Sequence, residues 1–233
     1  TVIKEVEVFK ETGPVISERV RGMLETGEHI SYIMGYNDGT VRPDNPITRA
    51  EVAAIFYRLL KDKNVADTAS QFTDISGGEW HATAVKTLAA LGILAGYEDG
   101  AFRPERNITR AEFAAVASRF DEQKSDIDCA FIDVTSAHWA YESILSAYAL
   151  GWISGYPGDL FLPENAITRA EVVAIVNRML GRRLRAEDVE DRLRAFYPDL
   201  AETHWGFAGM IEASAAHGYE WQSGDWERWA PLN

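Results

Sequence analysis

Five residues recur three times along the chain, and each copy opens a stretch in which apolar positions fall three and four residues apart. The copies are Ile47-Thr48-Arg49-Ala50-Glu51, Ile108-Thr109-Arg110-Ala111-Glu112 and Ile167-Thr168-Arg169-Ala170-Glu171. In the first, Val52, Ile55, Phe56 and Leu59 form one apolar stripe, which predicts an amphipathic helix. A second set of helices is predicted just after Trp80, Trp139 and Trp205. Val85, Leu88, Ala89 and Leu91 follow helical spacing, and Gly92 stands where a left-handed cap ends a helix. Ile144, Leu145, Tyr148 and Gly151 repeat that pattern. Each tryptophan stands six positions after the aspartate of an opening turn: Phe72-Thr73-Asp74, Phe131-Ile132-Asp133 and Tyr197-Pro198-Asp199.

Loops join the two kinds of helix. Two of them, Gly35 to Pro43 and Gly96 to Pro104, carry Asp-Gly, which supplies the positive φ of a tight turn. The motif threonines are spaced by 61 and then 59 residues, the signature of a repeat protein. The first copy lacks an opening turn and helix, whereas the end of the chain carries a surplus one from Phe196 to Tyr219. This predicts that the C-terminal helix packs beside the first motif helix and completes three equivalent units around a pseudo-threefold axis, removing exposed ends. The expected divisions are an upstream region and linker at 1–28, repeats at 29–67, 68–127 and 128–195, and a closing half-repeat with tail at 196–233. Connectors at 61–71 and 121–127 read as short and polar. The longer 181–195 leaves room for a helical turn or two.

With 46% hydrophobic residues in 233, the chain can bury a substantial core. Its formal charge of −13 argues against general nucleic-acid binding and against docking on anionic lipid. Cys129 is the one cysteine and reads as a small core thiol, leaving no disulfide framework and no cysteine metal cluster. No apolar run approaches the roughly 18 residues of a membrane span. Thr1 to Lys10 alternates charged and β-branched residues without a signal peptide, and reads as cut from a longer chain; the tail 221–233 reads as a C-terminal end. The five histidines show neither metal-ligand spacing nor a partnered nucleophile, and the Asp-Gly loops lack the spaced ligands of a calcium loop. No catalytic residue, metal site or cofactor is therefore expected.

The triple motif, the Gly-Tyr loops and the aromatic-x-Asp turns resemble the S-layer homology family over about residues 29–220. That resemblance implies an all-α fold with short loops and turn hairpins, closed as a pseudo-threefold trimer around a central helical bundle. It implies non-covalent anchoring of a secreted bacterial surface protein to the cell wall, through secondary cell-wall polysaccharide, pyruvylated in many cases, held in grooves between repeats. The location implied is extracellular, in the wall or surface layer, with lattice self-association through the upstream region left open. The alternative is a structural protein–protein module of a surface lattice that binds no glycan.

Thr48 and Glu51 have the spacing of a capping box, which puts Arg49 at the first helical position. A cation there opposes the positive end of the helix dipole, at a cost of about 0.3–1 kcal/mol. Two compensations are open for Arg49, Arg110 and Arg169. One is a bound carboxylate, such as a pyruvate ketal, met by the guanidinium together with free backbone N–H groups. The other is an internal pair with Asp74, Asp133 or Asp199. Gly35, Gly96 and Gly155, with Tyr36, Tyr97 and Tyr156 after them, are further candidate glycan contacts; the tyrosines read equally as sugar platforms or half-buried core. Trp80, Trp139 and Trp205 read as core anchors, and Arg58, Arg119 and Arg178 as structural cations at helix ends. The third loop departs from the others: Asp-Gly becomes Gly158-Asp159, and the arginine before proline becomes Leu162. Its groove is expected to be weaker; the sequence leaves open which motif arginine shares it, and the expectation is that Arg49→Ala or Arg110→Ala lowers affinity more than Arg169→Ala.

Overall fold

The computed structural model describes residues 16–65, 72–122, 127–222 and 226–230. The expectations for 1–15, 66–71 and 123–126, and for 223–225 and 231–233 of the tail, lie outside these. The helices are α1 (Glu18–Met23), α2 (Arg49–Leu59), α3 (Ala82–Ala90), α4 (Arg110–Ser118), α5 (Tyr141–Ala149), α6 (Arg169–Leu180) and α7 (Phe207–Ser214). Two short 3-10 turns, Ala186–Asp188 and Asp191–Leu193, fill the longer connector. An antiparallel hairpin of β1 (Gly218–Gln222) and β2 (Trp226–Ala230) follows α7, with Gly218 opposite Ala230.

The three motif helices start for one reason. In each, the threonine side chain accepts the backbone N–H of the glutamate three residues on, and that glutamate accepts the threonine's own N–H. Their apolar faces are buried: Val52, Ile55, Phe56 and Leu59 are at most 1% exposed. Gly92 adopts φ 72° behind α3, where a residue with a Cβ would be strained.

The expected all-α, closed pseudo-threefold trimer around a central helical bundle is not the architecture found. The helices are short, a two-stranded sheet is present, and much of the described chain runs in turns and loops. Helices pack as α2 with α3, α4 with α5 and α6 with α7, so the C-terminal helix has α6 as its packing partner instead of the first motif helix. The motif segments meet through extended backbone ahead of their helices. Ile47 N–H donates to Ile167 O, Ile108 N–H to Ile47 O and Ile167 N–H to Ile108 O, at 3.0–3.1 Å. Those three isoleucines are at most 1% exposed and sit in one continuous core, where Phe56 stacks on Phe113 and Phe120. β-branched Ile-Thr favours extended backbone, which is why these residues form a junction of bridges and the helices begin only after it.

Candidate functional site

The opening-turn aspartates are already occupied. Asp74 accepts the N–H groups of Phe102 and Arg103, both at 2.7 Å. Asp133 accepts those of Phe161 and Leu162, both at 2.8 Å. Asp199 accepts those of Val41 and Arg42, at 2.9 and 2.7 Å. Two successive N–H groups converging on one carboxylate form an anion-binding nest. Its second residue takes positive φ each time: 50° at Arg42, 58° at Arg103 and 59° at Leu162. The charge of the aspartate offsets that strain, which for a non-glycine residue is about 1–3 kcal/mol.

Gly35, Gly96 and Gly155 are explained by the same turn. A Cβ on Gly96 would lie 2.6 Å from the Phe72 ring and 2.8 Å from Ala101 O; Gly155 meets Phe131, and Gly35 meets Tyr197, in the same way. The aromatic ring of each opening turn rests on the glycine of a loop.

The motif arginines are buried at 2–6% exposure. Arg49 donates from Nε to Phe102 O at 2.8 Å and from its terminal nitrogen to Ala95 O at 2.7 Å. Arg110 reaches Phe161 O and Ser154 O, and Arg169 reaches Val41 O and Met34 O. None pairs with an opening-turn aspartate. Their acidic partners are capping glutamates: Arg169 meets Glu51 at 2.8 Å, Arg110 meets Glu171 at 3.1 Å, and Arg49 lies 4.0 Å from Glu112.

The backbone N–H groups expected to be free for an anion are used as well. Arg49 N–H and Ala50 N–H donate to Arg106 O and Pro104 O, Arg110 and Ala111 to Asn165 O and Pro163 O, and Arg169 and Ala170 to Asn45 O and Pro43 O. An anion site made of guanidinium plus helix N-terminus is therefore not available; the carbonyls of a neighbouring loop close it.

Tyr36, Tyr97 and Tyr156 donate their hydroxyls to Glu51, Glu112 and Glu171. Each ring also carries a motif guanidinium over its face, 4.5–4.8 Å from the centroid. Burial and then the bond to Glu51 push the Tyr36 phenol up to about 12. Arg58, Arg119 and Arg178 donate across to the carbonyls of Tyr32, Ile93 and Trp152 at 2.8–3.0 Å, a structural bond at the end of each motif helix.

The tryptophans overturn the expectation of core anchors. Trp80, Trp139 and Trp205 are 63%, 64% and 63% exposed. Two of them line grooves. Trp139 faces a cavity of about 700 Å³ with Arg49, Arg103, Arg106 and Arg119 on its walls. Trp205 faces one of about 340 Å³ with Arg110 and Arg178. Beside them, His138 bonds Glu164 and His204 bonds Asp44, while the other ring nitrogen of each accepts the N–H two residues on, from Ala140 and Gly206.

The family model described as S-layer homology domain matches residues 31–53, 71–114 and 130–173. These segments are S-layer homology domains. Among similar proteins of Acetivibrio thermocellus, Cell surface glycoprotein 1 is 39% identical over 83% of this chain and Cellulosome-anchoring protein is 38% identical over 84%. The chain spans 9% and 44% of their lengths, so most of each lies outside the comparison. An amylopullulanase of Thermoanaerobacterium thermosulfurigenes is 32% identical over 64% of the chain, which covers 8% of that protein.

Within these S-layer homology domains the grooves are unequal, and the structure supplies the pairing of arginines with loops that the sequence leaves open. Arg49 shares its groove with the second loop, where Arg103 and Arg106 add cations. Arg169 lies over Tyr36 in the first loop, beside Arg42. Arg110 is the arginine of the third loop, where Leu162 and Asn165 supply no charge. The impoverished groove thus belongs to Arg110, not to Arg169.

One further cluster has no counterpart among the residues that sequence spacing singles out. His29, Glu212 and His217 come together in the core with potential ligand atoms all within 4.8 Å of one another. They are dispersed along the chain, and spacing carries no signal of the contact.

Proposed function

We propose that this chain anchors a bacterial surface protein to the cell wall by holding wall polysaccharide in the grooves beside Trp139 and Trp205. Its place is the wall or surface layer, outside the cell. The observation that carries the reading is an indole about two-thirds exposed at the rim of a cavity of about 700 Å³ whose walls carry four arginines among the carboxylates of Glu98, Asp99, Glu112 and Glu164. An exposed indole offers an apolar face to a sugar ring. Arg103 and Arg106 pair with Asp99 and Glu112, each at 2.7 Å, yet stay 47% and 41% exposed, so their remaining N–H groups are placed to meet a carboxylate such as a pyruvate ketal on that sugar. Arg49, buried against backbone carbonyls, acts by shaping the loop. We divide the module into repeats at 29–67, 68–127 and 128–195 with a C-terminal half-repeat and tail at 196–233.

The role is binding without catalysis. The similarity to an amylopullulanase over a small part of that protein fits an appended module, and the reading needs no cofactor. The test is co-sedimentation of the chain with protein-stripped wall sacculi, before and after extraction of the polysaccharide. Binding that disappears on extraction, with no new reducing ends from purified polysaccharide, supports the proposal. Binding that survives extraction favours a protein–protein lattice module.

A further inference from the structure

We propose that His29 Nδ1, His217 Nε2 and the Glu212 carboxylate bind one divalent transition-metal ion, zinc fitting best, with Glu227 drawn in as the fourth ligand, so that the ion latches the C-terminal hairpin to the segment around residue 29. All four side chains are at most 4% exposed. They arrive from four places: His29 ahead of the first loop, Glu212 on α7, His217 just before β1 and Glu227 on β2. Backbone bonds hold them there, since His217 N–H donates to His29 O at 3.1 Å and Glu227 N–H donates to Arg183 O at 2.9 Å. Ring stacking fixes both imidazoles, His29 on Tyr219 and His217 on Trp229, each with centroids 3.9 Å apart.

The cluster has too many acceptors for its protons. His217 Nδ1 lies 2.8 Å from the Ala215 carbonyl, so that nitrogen carries a proton, and when the ring is neutral Nε2 presents a lone pair. That lone pair faces Glu212 Oε2 at 3.0 Å and His29 Nδ1 at 3.2 Å. His29 Nδ1, with one proton at most, also faces Glu212 Oε1 at 2.8 Å and Glu227 Oε2 at 3.4 Å. Neither Glu227 oxygen accepts a hydrogen bond among the described residues, although the side chain is fully buried. A buried carboxylate without partners is costly, and a cation at the centre of these groups removes the cost.

The geometry selects the ion. Ligands bound at 2.0–2.1 Å in a tetrahedron lie roughly 3.3 Å from one another; His29 Nδ1 stands 3.2 Å from His217 Nε2 and 2.8 Å from Glu212 Oε1, the ligand atoms of these three residues lie within 4.8 Å of one another, and Glu227 approaches the group through His29 Nδ1 at 3.4 Å. Imidazole with carboxylate suits zinc, whereas calcium takes six to eight oxygens. The bond from His217 Nδ1 to a carbonyl, and that from Trp229 Nε1 to Glu212 Oε2 at 2.8 Å, are the outer-shell supports that orient metal ligands. Of the nearby cations, Arg182 stands 3.9 Å from Glu212 Oε1 and is held by the carbonyls of Ile30 and Glu28, and the charge of Arg183 acts on Glu227.

The experiment uses the full chain, freed of metal by chelation and shown to be folded by circular dichroism, then titrated with Co²⁺ as an optical probe. One equivalent should produce the visible absorption of a four-coordinate ion, and Zn²⁺ should abolish it and raise the melting temperature by several degrees. Glu227→Gln should weaken Co²⁺ binding at least tenfold while leaving the metal-free protein as stable as before. The competing arrangement, in which His217 is an imidazolium and Glu227 a neutral acid, gives melts that do not respond to zinc. That result, or weak absorption needing many equivalents as at surface carboxylates, overturns the proposal.

Discussion

Replacing Asp199 by asparagine probes how the last opening turn is tied to the first loop, a contact between residues 157 and 158 positions apart. The carboxylate accepts Val41 N–H at 2.9 Å and Arg42 N–H at 2.7 Å, one on each oxygen. An asparagine of the same shape keeps one acceptor and turns an amide donor toward the other N–H. A hydrogen bond to a charged group contributes about 1.5–3 kcal/mol. Because Asp199 is exposed on its outer side, the lower end applies, and we expect about 2 kcal/mol. For a protein of this size each kcal/mol shifts the melting temperature by about 2–4 °C, so the expected drop is roughly 4–8 °C. Scanning calorimetry of Asp199→Asn beside Asp74→Asn and Asp133→Asn measures it. Asp74 and Asp133 fill identical nests only 28 and 29 residues away in sequence, so all three should fall by similar amounts. Shifts under 1 °C in all three would refute the view that the aspartates hold these loops.

Gly96→Ala should destabilise the protein by about 1–3 kcal/mol, read by denaturant melts, because the new Cβ meets the Phe72 ring at 2.6 Å; an unchanged midpoint would show that the ring can move. Arg103→Leu copies the third loop and should lower polysaccharide affinity about tenfold, about 1.4 kcal/mol, without changing the melting temperature; Leu162→Arg should move the Arg110 groove the other way. Burial alone would raise the pKa of Glu112, but bonds from Thr109 N–H, Tyr97 and Arg106 outweigh it and hold the carboxyl below the ordinary glutamate range. A depressed folded pKa gives stability that is present above the unfolded value, about 4.3, and is lost as pH falls through the folded one. Glu112→Gln should accordingly flatten the acid limb of the melting temperature below about pH 4.3, and limbs of equal slope would contradict this.

The local chemistry was legible in the sequence wherever neighbours in the chain decide it. Thr48 and Glu51 announce their capping box because both bonds close within three residues, and Gly92 announces its left-handed cap. What failed depended on distant neighbours. Trp80, Trp139 and Trp205 looked like anchors because tryptophans beside amphipathic helices are commonly buried, yet the turn before each helix aims them outward. Arg49 looked ready for a ligand because its helix start has open N–H groups in isolation; the carbonyls that fill them come from a loop more than fifty residues later. The helical bundle failed for the same reason: extended Ile-Thr junctions, not helix faces, join the motif segments. Which loop shares a groove with which arginine, and that His29 meets His217, are likewise facts of tertiary pairing that no spacing rule encodes.

The central claim is that sugar lies against Trp139 between the arginines of that groove. Isothermal titration of purified wall polysaccharide into the wild-type chain and into Trp139→Ala tests it most directly, since an indole 64% exposed can be removed without opening the core. Saturable binding to the wild-type chain should weaken about tenfold in the variant, about 1.4 kcal/mol, with an unchanged melting temperature. Equal affinities for the two proteins would contradict it.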